Sequence, residues 1–170
     1  MNEQLQPAVN ALVERSAAQL SEFRDEVTVL VAAEQITPAC RMLRDEFGFE
    51  MLVDETAVDY WPEQAPRFHI VYHLYSLAHN LMLCLRVQLD GNAPHIPTIE
   101  KVYPGANWHE REVYDLFGIT FDEHSDLRRI LMPQDWEGHP LRKDYPVGYE
   151  EVQYTFNAGE IAQRKPHPEE

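Results

Sequence analysis

The chain of 170 residues contains little cysteine and little glycine, and both shortages exclude classes of cofactor site. Only Cys40 and Cys84 are present, whereas an iron–sulfur cluster usually requires four thiolate ligands. Two separated cysteines also exclude a disulfide framework and are typical of a reducing cytoplasmic compartment. The closest glycines, Gly138 and Gly148, are ten positions apart (148 − 138), so neither a dinucleotide fingerprint nor a P-loop can be written.

Basic residues are also scarce. The chain has 14 Lys and Arg residues and 29 Asp and Glu residues, which gives a formal net charge of −15. Phosphate contacts need a cationic face, so we expect neither nucleic-acid binding nor electrostatic docking on an anionic membrane. The most apolar runs, residues 27–33 and 81–85, are far shorter than the ~18 residues that span a bilayer. The first residues, MNEQLQPAVN, lack the basic and apolar regions of a secretory signal, and none is expected.

The remaining composition, 44% hydrophobic and 25% charged, is that of a globular protein of one domain with modest extensions. Helices are predicted from Pro7, over 37–47 with Thr37 as N-cap, over 98–103 and over 106–117. Strands are predicted over 27–31, 49–53, 67–77 and 80–89, with residues 54–66 as a connection. This order predicts an α+β domain over residues 1–118, with a single mixed or antiparallel sheet of about four strands and helices on one face.

After Gly118 the pattern becomes irregular, without sustained periodicity. Residues 119–145 mix Trp, Tyr, Leu and Arg, a composition typical of a segment that orders against something. The last residues, QRKPHPEE, cannot bury enough apolar surface to fold alone. We therefore predict that residues 119–170 form an extended, irregular partner-docking segment and tail.

Eight histidines leave a metal site as an alternative. His69 and His73 are four apart in a predicted strand, where that spacing separates them by about 13 Å, too far for one zinc ion. A hydrolytic metal site of His109, Glu112 and His124 would need these side chains to converge, which helical spacing does not provide. We predict surface or hydrogen-bonded histidines and no metal.

The charges downstream of residue 106 allow two interpretations. On a helix, Arg111 and Asp115 are spaced to pair. Arg128 and Arg129, like Arg142 and Lys143, could be solvated loop charges, which contribute little to stability, or anchors in a partner groove. Spacing alone leaves both interpretations open.

Two stretches nevertheless carry a specific pattern, PGANWHEREVYDLFGI (residues 104–119) and GHPLRKDYP (138–146), and FHIVYHL (68–74) matches more loosely. Together they resemble the signature of the hydrophilic C-subunit family of proton-pumping NADH:quinone oxidoreductase, respiratory complex I. The resemblance is good over residues 67–146. The residues assigned to this signature or to a partner interface are Glu110, Arg111, Glu112, Asp115, His124, Arg128, Arg129, Trp136, Pro140, Leu141, Arg142, Lys143, Asp144 and Tyr145.

The resemblance implies a cofactor-free structural and assembly subunit in the peripheral arm of the complex. It implies packing on the quinone-site D subunit and on neighbouring iron–sulfur subunits, at the cytoplasmic face of the bacterial membrane and attached only through the complex. FMN, iron–sulfur clusters and quinone are then expected in partner subunits, and this chain is a non-catalytic subunit of an enzyme. An equivalent subunit of a membrane-bound hydrogenase, or of a quinone oxidoreductase with ferredoxin or another donor, stays open.

The resemblance and the composition together predict the placement of the C-terminal segment. We expect residues 136–145 and the tail to lie extended on partner subunits. We further expect Arg128, Arg129 and Arg142 to pair with carboxylates of the partner or of this chain.

Overall fold

The computed structural model describes residues 3–24, 26–146 and 154–164, and it has the α+β architecture that the sequence predicts. The helices are α1 (Gln6–Ser16), α2 (Ile36–Phe47), α3 (Ala106–Phe117) and α4 (Ala158–Arg164), with a 3-10 turn at Ala33–Gln35. The strands are β1 (Gln19–Phe23), β2 (Glu26–Leu30), β3 (Met51–Asp59), β4 (Phe68–Ser76), β5 (Leu81–Leu89), β6 (His95–Pro97) and β7 (Thr120–Asp122). No helix of the described residues is long and apolar enough to cross a bilayer.

Five strands form one mixed sheet in the order β1-β2-β5-β4-β3. Its neighbours run antiparallel except β2 and β5, which are parallel. The predicted β4–β5 hairpin is confirmed, with Phe68 opposite Leu89 and Ser76 opposite Leu81. The sheet therefore has five strands rather than about four, and β6 and β7 add a small parallel pair.

One face of the sheet carries the hydrophobic core. Alternate residues of β4 and β5 are buried, and the cross-strand pair Tyr72–Leu85 lies on this side. Helices α1, α2 and α3 contribute Leu12, Leu43 and Val113 to the same cluster. Alternation of buried and exposed residues is what a sheet covered on one side requires.

The sequence missed β1 and the second half of β3. All five residues of β1 are exposed, so it has no hydrophobic alternation to detect. Residues 54–59 extend β3 instead of forming a connection, and the buried positions include Glu55 and Asp59. Because acidic residues occupy the buried face, the strand does not have the apolar alternation expected of one.

Two local predictions were wrong. Residues 98–103 form a single turn, in which the Val102 and Tyr103 amides donate to the Ile99 carbonyl. Helix α2 begins at Ile36, and the Thr37 hydroxyl donates to the Thr98 carbonyl at 3.2 Å instead of capping the helix. This hydroxyl therefore connects α2 to the turn.

The packed part of the chain extends past the boundary predicted at residue 118. Ile119 and Phe121 are buried in the core, and β7 pairs with β6. The segment after α3 therefore begins as part of the domain.

Candidate partner-docking site

Asp115 on α3 fixes the loop that follows β7. Its carboxylate is fully buried, and Oδ2 accepts the backbone N–H groups of Ile130, Leu131 and Met132 at 3.1, 2.8 and 2.9 Å. Arg129 donates to Oδ1 at 3.1 Å. Burial acts to raise the pKa of Asp115, but the three amides and the guanidinium outweigh it and the pKa is lowered. Asp115 is therefore an ionised anchor for the loop.

The C-terminal end of α3 is covered by residues 139–145, here called the anchored segment. The last carbonyls of a helix lack partners within the helix, and a cation nearby is favourable to its dipole. The segment donates to four of them: His139 Nδ1 to Asp115 O at 2.9 Å, Leu141 N to Leu116 O at 3.0 Å, and Arg142 to the Phe117 and Gly118 oxygens at 2.5 and 3.2 Å.

Gly118 permits this close approach. Its φ is +70°, in the left-handed region that glycine adopts without strain. A Cβ added there would lie 2.4 Å from the His139 ring and 2.8 Å from the Arg142 guanidinium. The glycine thus ends the helix and also makes room for the segment.

A buried ion network holds the other end of the anchored segment. Arg67 is 4% exposed and forms bidentate contacts with Asp59, both at 2.9 Å. It also contacts both carboxylate oxygens of Asp144, at 2.6 and 3.0 Å. The Lys143 amide donates to Asp59 at 2.8 Å. The pKa of Asp59 is lowered although burial opposes this, because Arg67 and two backbone amides stabilise its charge.

A second buried polar cluster lies at the start of α3. Glu110 accepts the Thr98 hydroxyl at 2.5 Å and the Ile99 amide at 2.7 Å. The imidazole of His124 is fully buried with Nε2 3.6 Å from Glu110. Burial raises the pKa of Glu110 to about 7, although the two hydrogen bonds act to lower it.

Glu55 on β3 has both carboxyl oxygens buried without a hydrogen-bond partner among the described residues. Burial raises its pKa well above the usual range, and the charges of Glu110 and Asp54 raise it further. The folded protein therefore holds this proton to a higher pH than the unfolded chain. The stability from Glu55 is complete below the unfolded pKa of about 4.3 and is lost as pH rises towards the folded pKa.

We expect Glu55→Gln to weaken the loss of stability with rising pH, because glutamine keeps the volume and cannot ionise. The free energy of unfolding in urea, measured from about pH 5 to about pH 9, should fall less steeply than in the wild type, by about 1.4 kcal/mol for each pH unit by which folding raises the Glu55 pKa. Glu46→Gln, at an exposed position paired with Arg15, serves as control. Parallel curves for the wild type and Glu55→Gln would contradict an ionisable buried Glu55.

Exposed apolar side chains lie on α3 and over residues 131–141, and together they are here called the outer surface. Trp108 and Leu131 are 63% and 60% exposed, and Trp136 and Leu141 are also exposed. The guanidinium of Arg111 stacks on the Trp108 ring at 5.0 Å. Exposed aromatic, aliphatic and Arg side chains on a well-ordered frame are typical of protein–protein interfaces.

Only some of the side-chain contacts predicted for the signature residues are formed in the structure. Arg128 and Arg129 pair with this chain's own Asp126 and Asp115. The helical pairing of Arg111 with Asp115 is wrong, because Asp115 binds Arg129 and the Arg111 side chain donates to the Arg128 carbonyl at 3.2 Å.

The anchored segment also differs from expectation. Arg142 donates to backbone carbonyls and not to a carboxylate of the described residues. Residues 139–145 contact the chain's own α3 and β3. The expectation that residues 136–145 lie on partner subunits stays a prediction. The expectation for the tail falls largely on residues 147–153 and 165–170, outside the described residues.

The remaining signature residues lie at or near the outer surface. Glu112 and Lys143 are exposed, Pro140 is half-buried, and Tyr145 is half-buried with its hydroxyl donating to the Glu137 carbonyl at 3.2 Å.

Sequence reasoning missed Asp59, Arg67, Glu55 and His139. Asp59 and Glu55 lie in the stretch interpreted as a connection, and Arg67 directly precedes a strong strand. Asp144 in the GHPLRKDYP stretch offered a useful signal, because an acidic residue held in a loop suggests a cationic partner elsewhere in the chain. Nothing in the sequence indicated that Arg67 would be that cation.

Among residues 3–24, 26–146 and 154–164, no group of three His, Cys, Asp or Glu side chains could hold a metal ion. The alternative site of His109, Glu112 and His124 is not formed, because the His124 ring is buried beside Glu110 whereas Glu112 is exposed. Both cysteines are free thiols: Cys40 is buried on α2, and Cys84 lies on β5.

Comparison with known proteins gives consistent matches. Residues 29–151 match the family described as "Respiratory-chain NADH dehydrogenase, 30 Kd subunit". The C subunit of NADH-quinone oxidoreductase from Roseiflexus sp. (strain RS-1) is 48% identical over 152 residues, 88% of this chain and 87% of the relative. The protein of the same name from Geobacter sulfurreducens (strain ATCC 51573 / DSM 12127 / PCA) is 49% identical over 143 residues, 82% of this chain and 88% of the relative.

Two solved structures share the fold. A trypsin-resistant fragment of Nqo5 superimposes with a TM-score of 0.66 at 29% identity, covering 73% of this chain and 99% of the fragment. A chain of the membrane-bound sulfane sulfur reductase, an archaeal respiratory membrane complex, gives a TM-score of 0.73 at 22% identity, covering 99% and 97%. The second likeness shows a common fold alone. The chain belongs to the family of the 30 kDa subunit of respiratory-chain NADH dehydrogenase, which is the C-subunit family of NADH-quinone oxidoreductase.

Proposed function

We propose that this chain is a cofactor-free structural and assembly subunit in the peripheral arm of a proton-translocating NADH:quinone oxidoreductase. Through the outer surface it packs on the quinone-site D subunit and on neighbouring iron–sulfur subunits. The observation that carries the proposal is that exposed apolar and Arg side chains are presented by α3 and by a loop and a segment that buried charges fix in place. A surface ordered before binding loses little conformational entropy on association.

The chemistry of the residues supports a non-catalytic role. Three buried charged groups, those of Asp115, Asp59 and Arg67, are engaged by other residues of this chain, so their hydrogen-bonding atoms are not available to a substrate. FMN, iron–sulfur clusters and quinone would then be held by partner subunits. Attachment to those subunits would place the chain at the cytoplasmic face of the membrane.

Mild purification of the native complex through a tag on this chain tests the proposal. We expect the quinone-site subunit and iron–sulfur subunits to be recovered in equal amounts with the tagged chain, and NADH-dependent quinone reduction in the eluate. Ferredoxin-dependent reduction instead would favour the related complexes with another donor. Recovery of the chain as a lone monomer would contradict the proposal.

Truncation after Gly138 tests the role of the anchored segment. The Asp115 loop and the Arg67–Asp59 pair remain, so we expect the sheet to fold cooperatively, with reduced stability because α3 loses the partners of its last carbonyls. Recovery of partner subunits should be lost. A chain ending at Pro146, which keeps the anchored segment, is the matched control and should recover more of the partner subunits than the chain that ends at Gly138. Full recovery of partners with the chain that ends at Gly138 would show that the segment is not needed for docking.

A further inference from the structure

The side of the five-stranded sheet opposite the core, here called the open face, is only partly covered by the described residues. Its exposed apolar side chains include Phe23 at 68% and Met82 at 52%. Met51, Tyr75 and Met82 are register neighbours across β3, β4 and β5, so they form a continuous apolar row. A contiguous exposed apolar patch on a globular domain is typical of an interaction surface.

Arg86 lies on the open face without an acidic partner among the described residues. It projects from β5 at the position opposite Leu30 of β2 and Val71 of β4. Its Nε is buried without a hydrogen-bond partner in the described part of the chain. Glu26 of β2 lines the same groove as Arg86, but it forms no ion pair with Arg86. The guanidinium contacts Tyr60, whose hydroxyl accepts from Nη2.

His69 stands beside Arg86 and adds a second unsatisfied atom. Its ring contacts the Tyr60 ring at 4.5 Å between centroids, and its Nδ1 is buried without a partner among the described residues. Burial and the Arg86 charge lower the pKa of His69 to about 4, so the imidazole is neutral at pH 7. The positive charge at this place is therefore that of Arg86. It lines a groove of about 430 Å³ together with His69, Phe23, Leu30 and the acidic Glu26.

We propose that the open face is a second docking surface, which binds an apolar surface of another subunit of the same complex that projects one carboxylate into the groove to pair with Arg86. Pairing of this kind supplies the acceptor that a partly buried guanidinium lacks. The inference rests on the proposed function, because it presupposes that the chain is part of an assembly.

The charge of the chain decides between possible occupants. Two copies would each carry a formal charge of −15 and would repel one another. A strongly acidic chain is likewise unsuited to an anionic membrane or a nucleic acid. The apolar row on the open face is complementary to an apolar surface of a partner protein. Arg86 is complementary to one acidic group on that surface.

Photo-crosslinking in the assembled complex tests this directly. A photoreactive side chain at Met82 should link to one other subunit, in a peptide that contains Asp or Glu. The same probe at Val13, an exposed apolar position on α1, is the matched control and should give no such product. A product with a second copy of this chain, or no product from a fully assembled complex, would overturn the proposal and leave the proposed function standing.

Substitutions supply the second readout. Met82→Lys should lower recovery of partner subunits about tenfold or more, whereas Val13→Lys should not. Arg86→Glu should have a comparable effect, and in this variant changing an acidic residue of the cross-linked partner peptide to Arg should restore recovery. Normal recovery with both Met82→Lys and Arg86→Glu would overturn the open-face proposal. If the wild-type chain recovers no other subunit, both the proposed function and this inference fail.

Discussion

Arg67→Met is expected to lower the free energy of unfolding by about 3–5 kcal/mol, the usual cost of leaving a buried charge without its partner. Asp59, whose side chain is fully buried, loses its bidentate contact, and Asp144 loses both of its contacts with the guanidinium. Because methionine fills part of the space that the Arg67 side chain occupies, the loss of stability reports the missing charge and not a cavity. Urea unfolding at neutral pH measures it.

The matched control for Arg67→Met is Arg128→Met. Arg128 also forms a short ion pair, with Asp126 at 2.6 Å, but both side chains are largely in solvent. Exposed pairs contribute little to stability, so this variant should unfold close to the wild type. Equal effects of the two substitutions would show that the Arg67 network does not carry the stability assigned to it.

Asp115→Asn is expected to cost about 2–4 kcal/mol, because three backbone amides lose an ionised acceptor and Arg129 loses its partner. A neutral amide accepts more weakly, and its nitrogen cannot accept from the guanidinium. The loop at residues 129–132 should then open, which hydrogen exchange of the Leu131 and Met132 amides would report. Asp126→Asn, at the exposed pair with Arg128, is the control and should leave these amides protected.

The pH dependence gives a second check on Asp115. Because its pKa is lowered in the folded state, its contribution is fully present above the unfolded pKa of about 3.9 and is lost as pH falls through the folded pKa. The difference in stability between the wild type and Asp115→Asn should therefore shrink below about pH 4. A difference that stays constant down to the acid transition would contradict the ionised anchor.

Local signals in the sequence predict much of the fold. Gly48 and Gly118 end α2 and α3 at positive φ, as glycine does after the last helical residue. The alternation in β4 and β5 reveals the hairpin, since each strand has one face in the core. Strand β1 could not be predicted, because it is stabilised by pairing with β2 and not by a buried face.

The candidate site was predictable in its residues but not in its contacts. The resemblance identifies Asp115, Arg129 and Asp144, yet their partners depend on the tertiary fold. Arg67 and Asp144 are 77 positions apart. The helical spacing that suggests Arg111 as a partner of Asp115 is a weak local preference, and three amides from a distant loop outweigh it.

The rate of quinone reduction per assembled complex tests most directly whether this chain acts through assembly. Membranes containing the wild type, Arg67→Met or Asp115→Asn would be assayed for NADH:quinone reductase activity and for the amount of quinone-site subunit bound to this chain. We predict that both quantities fall together in the variants, so that the rate per assembled complex stays at the wild-type value. Full assembly with the activity lost would instead show that this chain takes a direct part in the reaction.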